Sequence, residues 1–157
     1  RGDRADAYLR WVREQTGGGE VQPAETGWSW MTWDMIRGLR AAGMEIGGHS
    51  ATHPVLARIP GERQVLEVSR CAGRLEVELG EPMTMFSYPV GTRDAFDSTT
   101  REVLAGAGVR LAFSCYGGVV TRRRWDSLDV PRVPIGATTS AERFRALTEL
   151  PSLVARA

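Results

Sequence analysis

The sequence predicts an α/β fold on a mainly parallel sheet, and three observations predict it. An amphipathic helix, a glycine, a short apolar strand and a loop of unusual composition follow one another three times. Helices alternating with short apolar strands mark βαβ units, which lie in an open sheet or close into a barrel. Each unusual loop falls beyond the carboxyl end of its strand, where such folds bind ligands. A length of 157 residues fits one domain, so residues 1–157 are read as a single unit.

The elements follow in order. Asp3 to Gln15 reads as a helix, and Gly17-Gly18-Gly19 after it as a flexible break. Thr32 to Ala42 is the first repeated helix, with Met35, Ile36 and Leu39 on one face; Gly43 ends it, and Met44-Glu45-Ile46 is a short strand before Gly47-Gly48-His49. The second helix, Gly61 to Leu79, carries Val65, Val68, Ala72, Leu75 and Leu79 at helical spacing. Gly80 and Pro82 then lead to a strand from Met83 to Ser87, closed by Tyr88-Pro89-Val90-Gly91. The third helix starts at a cap near Asp97 or Ser98 and runs to Gly108. Its strand, Val109 to Ser114, opens into Cys115-Tyr116-Gly117-Gly118. A fourth strand spans Val130 to Ile135, and a last helix begins at the capping box Thr139-x-x-Glu142.

Composition narrows the function classes. The 20 basic and 19 acidic residues leave a net charge of +1, too balanced for the broad positive field of a nucleic-acid binder. All the basic residues are arginine, which fits GC-rich coding as simply as any functional selection. No apolar run approaches the ~18 residues of a membrane span, and no signal peptide is visible. Cys71 and Cys115 stand far apart in apolar stretches and read as buried free thiols. No GxGxxG or GxxxxGK follows any strand, which disfavours a nucleotide site.

The candidate chemistry lies in Gly47-Gly48-His49-Ser50-Ala51-Thr52-His53-Pro54, which holds both histidines of the chain. The H-x-x-x-H spacing can bring two imidazoles to one side of a turn, where neutral nitrogens share a divalent cation. Equally, His53 can cap the helix after Pro54 while His49 bonds within the loop, and an isolated pair lacks the third ligand of a catalytic zinc site. Trp28, Trp30 and Trp33 could stack on sugar faces or cover the core. Arg122-Arg123-Arg124-Trp125 reads as a solvated loop.

From Thr32-Trp33-Asp34 through His53-Pro54 the sequence resembles the second motif of polysaccharide deacetylases, carbohydrate esterase family four. Phe86-Ser87-Tyr88-Pro89-Val90-Gly91 resembles their third motif, with Ser87 where many members carry Arg. The resemblance covers roughly residues 28–135. It implies a distorted (β/α) barrel and removal of N-acetyl groups from N-acetylhexosamine glycans or related amides. It also implies a zinc-like cation held by one Asp and two His, here His49 and His53. The backbone N–H of Val90 would be the oxyanion donor, and Tyr88, Pro89 and Trp125 the candidate substrate contacts. An extracytoplasmic setting would fit the family.

The sequence also departs from the family. No strand ending in the paired aspartates that supply the base and the third metal ligand occurs in these 157 residues, and the closing His motif is missing too. Asp34 lies at a helix start and reads as a charge on the helix dipole; Asp94 is the carboxylate that could substitute. Two expectations follow. Either the first βα unit lies outside this sequence and the chain binds zinc weakly, or the domain is catalytically silent and binds carbohydrate or serves a structural role.

Overall fold

The computed structural model describes residues 2–17, 30–120 and 125–150. The chain divides into two units, residues 1–46 and 47–157. The first holds helix α1, Gly2–Thr16, and helix α2, Trp33–Ala41. On α1, Tyr8 and Trp11 lie one turn apart and stack with ring centroids 5.9 Å apart. Helix α2 is capped by Thr32, whose side chain accepts the Met35 N–H at 3.2 Å. Asp34 lies in its first turn, as read from the sequence, and with Arg40 in the last turn complements the helix dipole. The half-buried stripe of α2 is Trp33, Ile36 and Leu39, while Met35, expected on that face, is exposed.

Met44-Glu45-Ile46 forms no strand, contrary to expectation. Three residues between glycines make a weak ladder, and pairing on that side shrinks to one parallel bridge, Gly48 with Phe86.

The second unit contains a 3₁₀ helix at Leu56–Arg58, helix α3 (Gly61–Leu79), strand β1 (Met85–Ser87), helix α4 (Ser98–Gly106), strand β2 (Leu111–Ser114), strand β3 (Val130–Pro131) and helix α5 (Ala141–Glu149). The strands form a parallel sheet in the order β1-β2-β3, with Phe86 opposite Ala112 and Phe113 opposite Val130. Each strand is shorter than its apolar run. Thr84 spends its carbonyl on the Arg110 and Leu111 amides, so the pairing starts only there.

The core of this unit is Leu56, Val68, Leu75, Met83, Phe86, Tyr88, Phe96, Leu104, Val109 and Ala112, all under 9% exposed. Helix α3 has the predicted bounds, but its buried face differs from the predicted one. Val65 is 49% exposed, whereas Gln64 and Glu67 are buried beside Val68 and Leu75. Both polar residues carry hydrogen bonds that make burial tolerable: Gln64 accepts the Thr100 hydroxyl at 2.7 Å, and Glu67 accepts three donors described below. Asp97 caps α4 with the reciprocal Thr100 bonds of a capping box. Helix α5 is capped by Ser140 rather than Thr139; the Thr139 hydroxyl instead accepts the Gly136 N–H. Cys71 and Cys115 are free thiols, as expected, but half-buried rather than buried. Among the described residues no helix is long and apolar enough to cross a membrane.

Candidate functional site

The three loops beyond β1, β2 and the Gly48 bridge gather at the carboxyl edge of the sheet. Gly48 is held in parallel pairing by its N–H on Met85 O and its carbonyl on Ser87 N, each at 2.8 Å. A Cβ there would lie 2.2 Å from the Met83 sulfur and 3.0 Å from the Cys71 sulfur, so only glycine lets the backbone come this close. Pairing at Gly48 places the next residue, His49, beside Ser87.

His49 and His53 meet, with ring centroids 4.8 Å apart and planes at 73°. Both rings are exposed. His49 Nδ1 lies 2.7 Å from the Ser87 carbonyl. A carbonyl only accepts, so Nδ1 carries the proton and Nε2 keeps its lone pair for a ligand. Backbone carbonyls commonly orient metal-ligating imidazoles in this way. His53 caps no helix; the following 3₁₀ helix starts from Val55, which provides no side-chain cap. The loop is instead a turn closed by the His53 N–H on Ser50 Oγ at 2.9 Å.

Among the described residues three non-glycine residues have φ in the left-handed region: Ser50 at 63°, His53 at 59° and Val90 at 64°. All three lie in the two candidate loops, and strained backbone of this kind clusters at functional sites. Val90 is the most unusual, because a β-branched residue rarely adopts positive φ. The Gly91 N–H bonds the Pro89 carbonyl at 2.7 Å and closes a γ-turn around Val90. The Val90 N–H itself has no acceptor among the described residues. A Cβ on Gly91 would sit 2.9 Å from the Cys115 N, so this turn packs directly on the loop after β2.

Other sequence expectations fare differently. The side chains of Tyr88 and Pro89 are under 2% exposed and cannot touch a substrate. Tyr88 stacks on Phe96 at 3.8 Å and donates its hydroxyl to the Leu128 carbonyl at 2.6 Å, and burial pushes its phenol pKa up. These two residues shape the turn that carries Val90. Asp94 does not join the imidazoles. One oxygen takes the Thr92 hydroxyl at 2.7 Å and the other pairs with Arg58 at 2.8 Å, and the Thr92 and Arg58 bonds lower its pKa. Among the described residues no group of three His, Cys, Asp or Glu could hold a metal. The donor set is therefore two imidazoles, suitable as two of the three protein ligands a catalytic cation takes. Trp125 is 55% exposed and Trp30 is 92% exposed; Trp28 and Arg122 to Arg124 lie outside the described residues.

Two residues of the site escaped the sequence reading. Glu67, on α3, accepts the Ala51 and Thr52 N–H groups at 3.0 and 2.7 Å on one oxygen and the Thr52 hydroxyl at 2.6 Å on the other. Arg132, just past β3, donates Nη2 to Ser87 Oγ at 2.7 Å and Nε to the Ser114 carbonyl at 3.2 Å. It thus brings a guanidinium to the residue whose carbonyl orients His49. The only signal for Glu67 was a carboxylate one position before Val68 on an otherwise apolar face. Arg132 gave none, because its partners come from other strands.

Comparison with known proteins identifies the family and the fold. The sequence matches the profile of the polysaccharide deacetylase family over residues 10–112, more than half of the chain. The deacetylase PplD of Streptococcus pyogenes, solved in complex with acetate, superposes with a TM-score of 0.68 at 20% identity over 79% of this chain and 53% of that one. IcaB from Ammonifex degensii gives 0.62 at 25% identity over 82% and 57%. A de-N-acetylase from Aggregatibacter actinomycetemcomitans gives 0.62 at 17% identity over 74% and 52%. The chain therefore spans about half the length of these structures. No curated protein matches it. The three-stranded parallel sheet with its helices is a partial α/β barrel of the deacetylase type. The chain belongs to the polysaccharide deacetylase family.

Proposed function

We propose that this chain carries the imidazole half of a metal-dependent de-N-acetylase centre acting on glycans that contain N-acetylhexosamine. The observation that carries the reading is the edge-to-face pair of His49 and His53, with Nδ1 of His49 fixed on the Ser87 carbonyl. Nε2 of His49 and the His53 ring would hold the cation, most simply zinc, together with a carboxylate from outside the described residues. When bound, such a cation polarises the amide oxygen and acidifies a water.

The chain's own residues do the remaining work. Ser87 O keeps His49 in one tautomer. The Val90 N–H, which has no acceptor among the described residues, would donate a hydrogen bond to the oxyanion that develops as the amide carbon becomes tetrahedral. The exposed Trp125 indole offers a face for a sugar ring.

A second reading, a silent carbohydrate-binding or structural domain, is favoured by one observation: the two imidazoles have no carboxylate grouped with them among the described residues. Zinc stoichiometry separates the two. The first reading expects one weakly held Zn²⁺ per chain, lost in His49→Ala and His53→Ala. Retention of zinc by both variants, or no zinc binding by the wild-type chain at millimolar metal, would remove the first reading.

A further inference from the structure

We infer that Glu67 is a positioning residue of the His49–His53 pair, its carboxylate holding the intervening loop in the conformation that brings the two rings together. The inference deepens the deacetylase reading and rests on it for its consequence. The loop has little reason to adopt its shape alone, because Ser50 and His53 both sit at positive φ, where a side chain crowds the backbone. A constraint from elsewhere must over-determine it. Among the described residues one hydrogen bond lies within the loop, from His53 N to Ser50 Oγ. His49 is tied to the Ser87 carbonyl, and the middle of the loop, Ala51 and Thr52, is held by Glu67.

The geometry fits this role closely. Two successive amides, Ala51 and Thr52, converge on one carboxylate oxygen, an arrangement in which adjacent N–H groups form a concave anion site. The Thr52 hydroxyl takes the second oxygen. Glu67 is 5% exposed, so these bonds work away from competing water. The carboxylate comes from a 19-residue helix packed on α4, which makes it a fixed post rather than a mobile side chain. One turn further along the same helix, the Cys71 sulfur faces the Gly48 backbone. Glu67 bonds the residues between the histidines and neither ring, so it acts through the loop.

Imidazole NMR on the intact chain tests this, because two histidines give two ring systems that His49→Ala and His53→Ala assign. Wild type should show a ring-to-ring NOE, and both imidazoles should shift together as Zn²⁺ is added. Glu67→Ala should lose the NOE and weaken zinc binding by about tenfold or more, the usual effect of removing a group that orients metal ligands. Glu67→Gln, which keeps an acceptor for the two amides, should restore most of both. Leu75→Ala on the same helix should lower stability and leave both readouts unchanged, which a purely structural role for Glu67 would not predict. If Glu67→Ala does not fold, Glu67→Asp, its carboxylate withdrawn by one methylene, should show a smaller loss of the same kind. A folded Glu67→Ala or Glu67→Asp that keeps the NOE and the zinc affinity overturns the inference, as does a wild type without the NOE. If Glu67→Ala abolishes the NOE while wild-type imidazoles ignore zinc, the positioning role stands and the deacetylase reading falls.

Discussion

Val90 concentrates the site's logic in one residue. It lies in a γ-turn at a positive φ that costs a β-branched side chain on the order of 1–3 kcal/mol. Glycine would accept that backbone without strain but would lose more conformational freedom on folding, so the two effects partly offset. Val90→Gly should therefore raise stability by about 1 kcal/mol while keeping the N–H in place. Denaturant melting checks this, and a loss of stability beyond about 1 kcal/mol would show that Val90 is not strained. Asp94 is the complementary case. Its carboxylate is engaged by Arg58 and Thr92 on the surface, so Asp94→Asn should change the zinc affinity of the imidazole pair by no more than about twofold, the scale of a neutral surface substitution. A loss of tenfold or more would return Asp94 to the ligand set.

The elements divide into those whose causes are local and those whose causes are not. Helix α4 was legible because Asp97 and Thr100 sit at the cap and third positions, a local pattern that the structure realises as a capping box. Asp97→Ala should cost about 1 kcal/mol. The Thr100 N–H bond holds the Asp97 carboxyl below the usual carboxylate range, so this stabilisation is complete above about pH 4 and is lost as pH falls through the lower folded value. The stability difference between wild type and Asp97→Ala should shrink on acidification, and a difference that grows would reverse the assignment. Helix α3 was legible in extent but only partly in facing. Val68 and Leu75 are buried as the apolar period requires, and Leu75→Ala should cost about 2–5 kcal/mol by the same measurement. Glu67 and Gln64 are not legible because hydropathy assigns carboxylates and amides to solvent, and only their long-range partners Thr52 and Thr100 reveal otherwise. The strand at Met44 to Ile46 failed for a related reason. Its apolar residues suit a strand, but the pairing falls at Gly48, where backbone approach rather than side-chain pattern decides the contact.

At the scale of the molecule, the His-x-x-x-His loop and the Tyr-Pro-Val-Gly turn were visible in sequence because each is contiguous. The convergence of Ser87, Glu67 and Arg132 on them was not, because it depends on sheet order and helix docking. The chain spans about half the length of the deacetylase structures it resembles, and in the proposed function its imidazole pair is one part of a ligand set. In the proposed function, catalysis is a joint property of His49, His53, the Val90 N–H and a carboxylate from a strand of the kind that ends in paired aspartates. Acetate release from an N-acetylglucosamine oligomer, with zinc or cobalt added, tests that claim most directly. It is measured for the 157-residue chain and for the same chain preceded by a βα unit ending in Asp-Asp. The predicted result is no detectable release from the first and clear release from the second, abolished by His49→Ala or His53→Ala. Robust release by the 157-residue chain that survives both substitutions would contradict it.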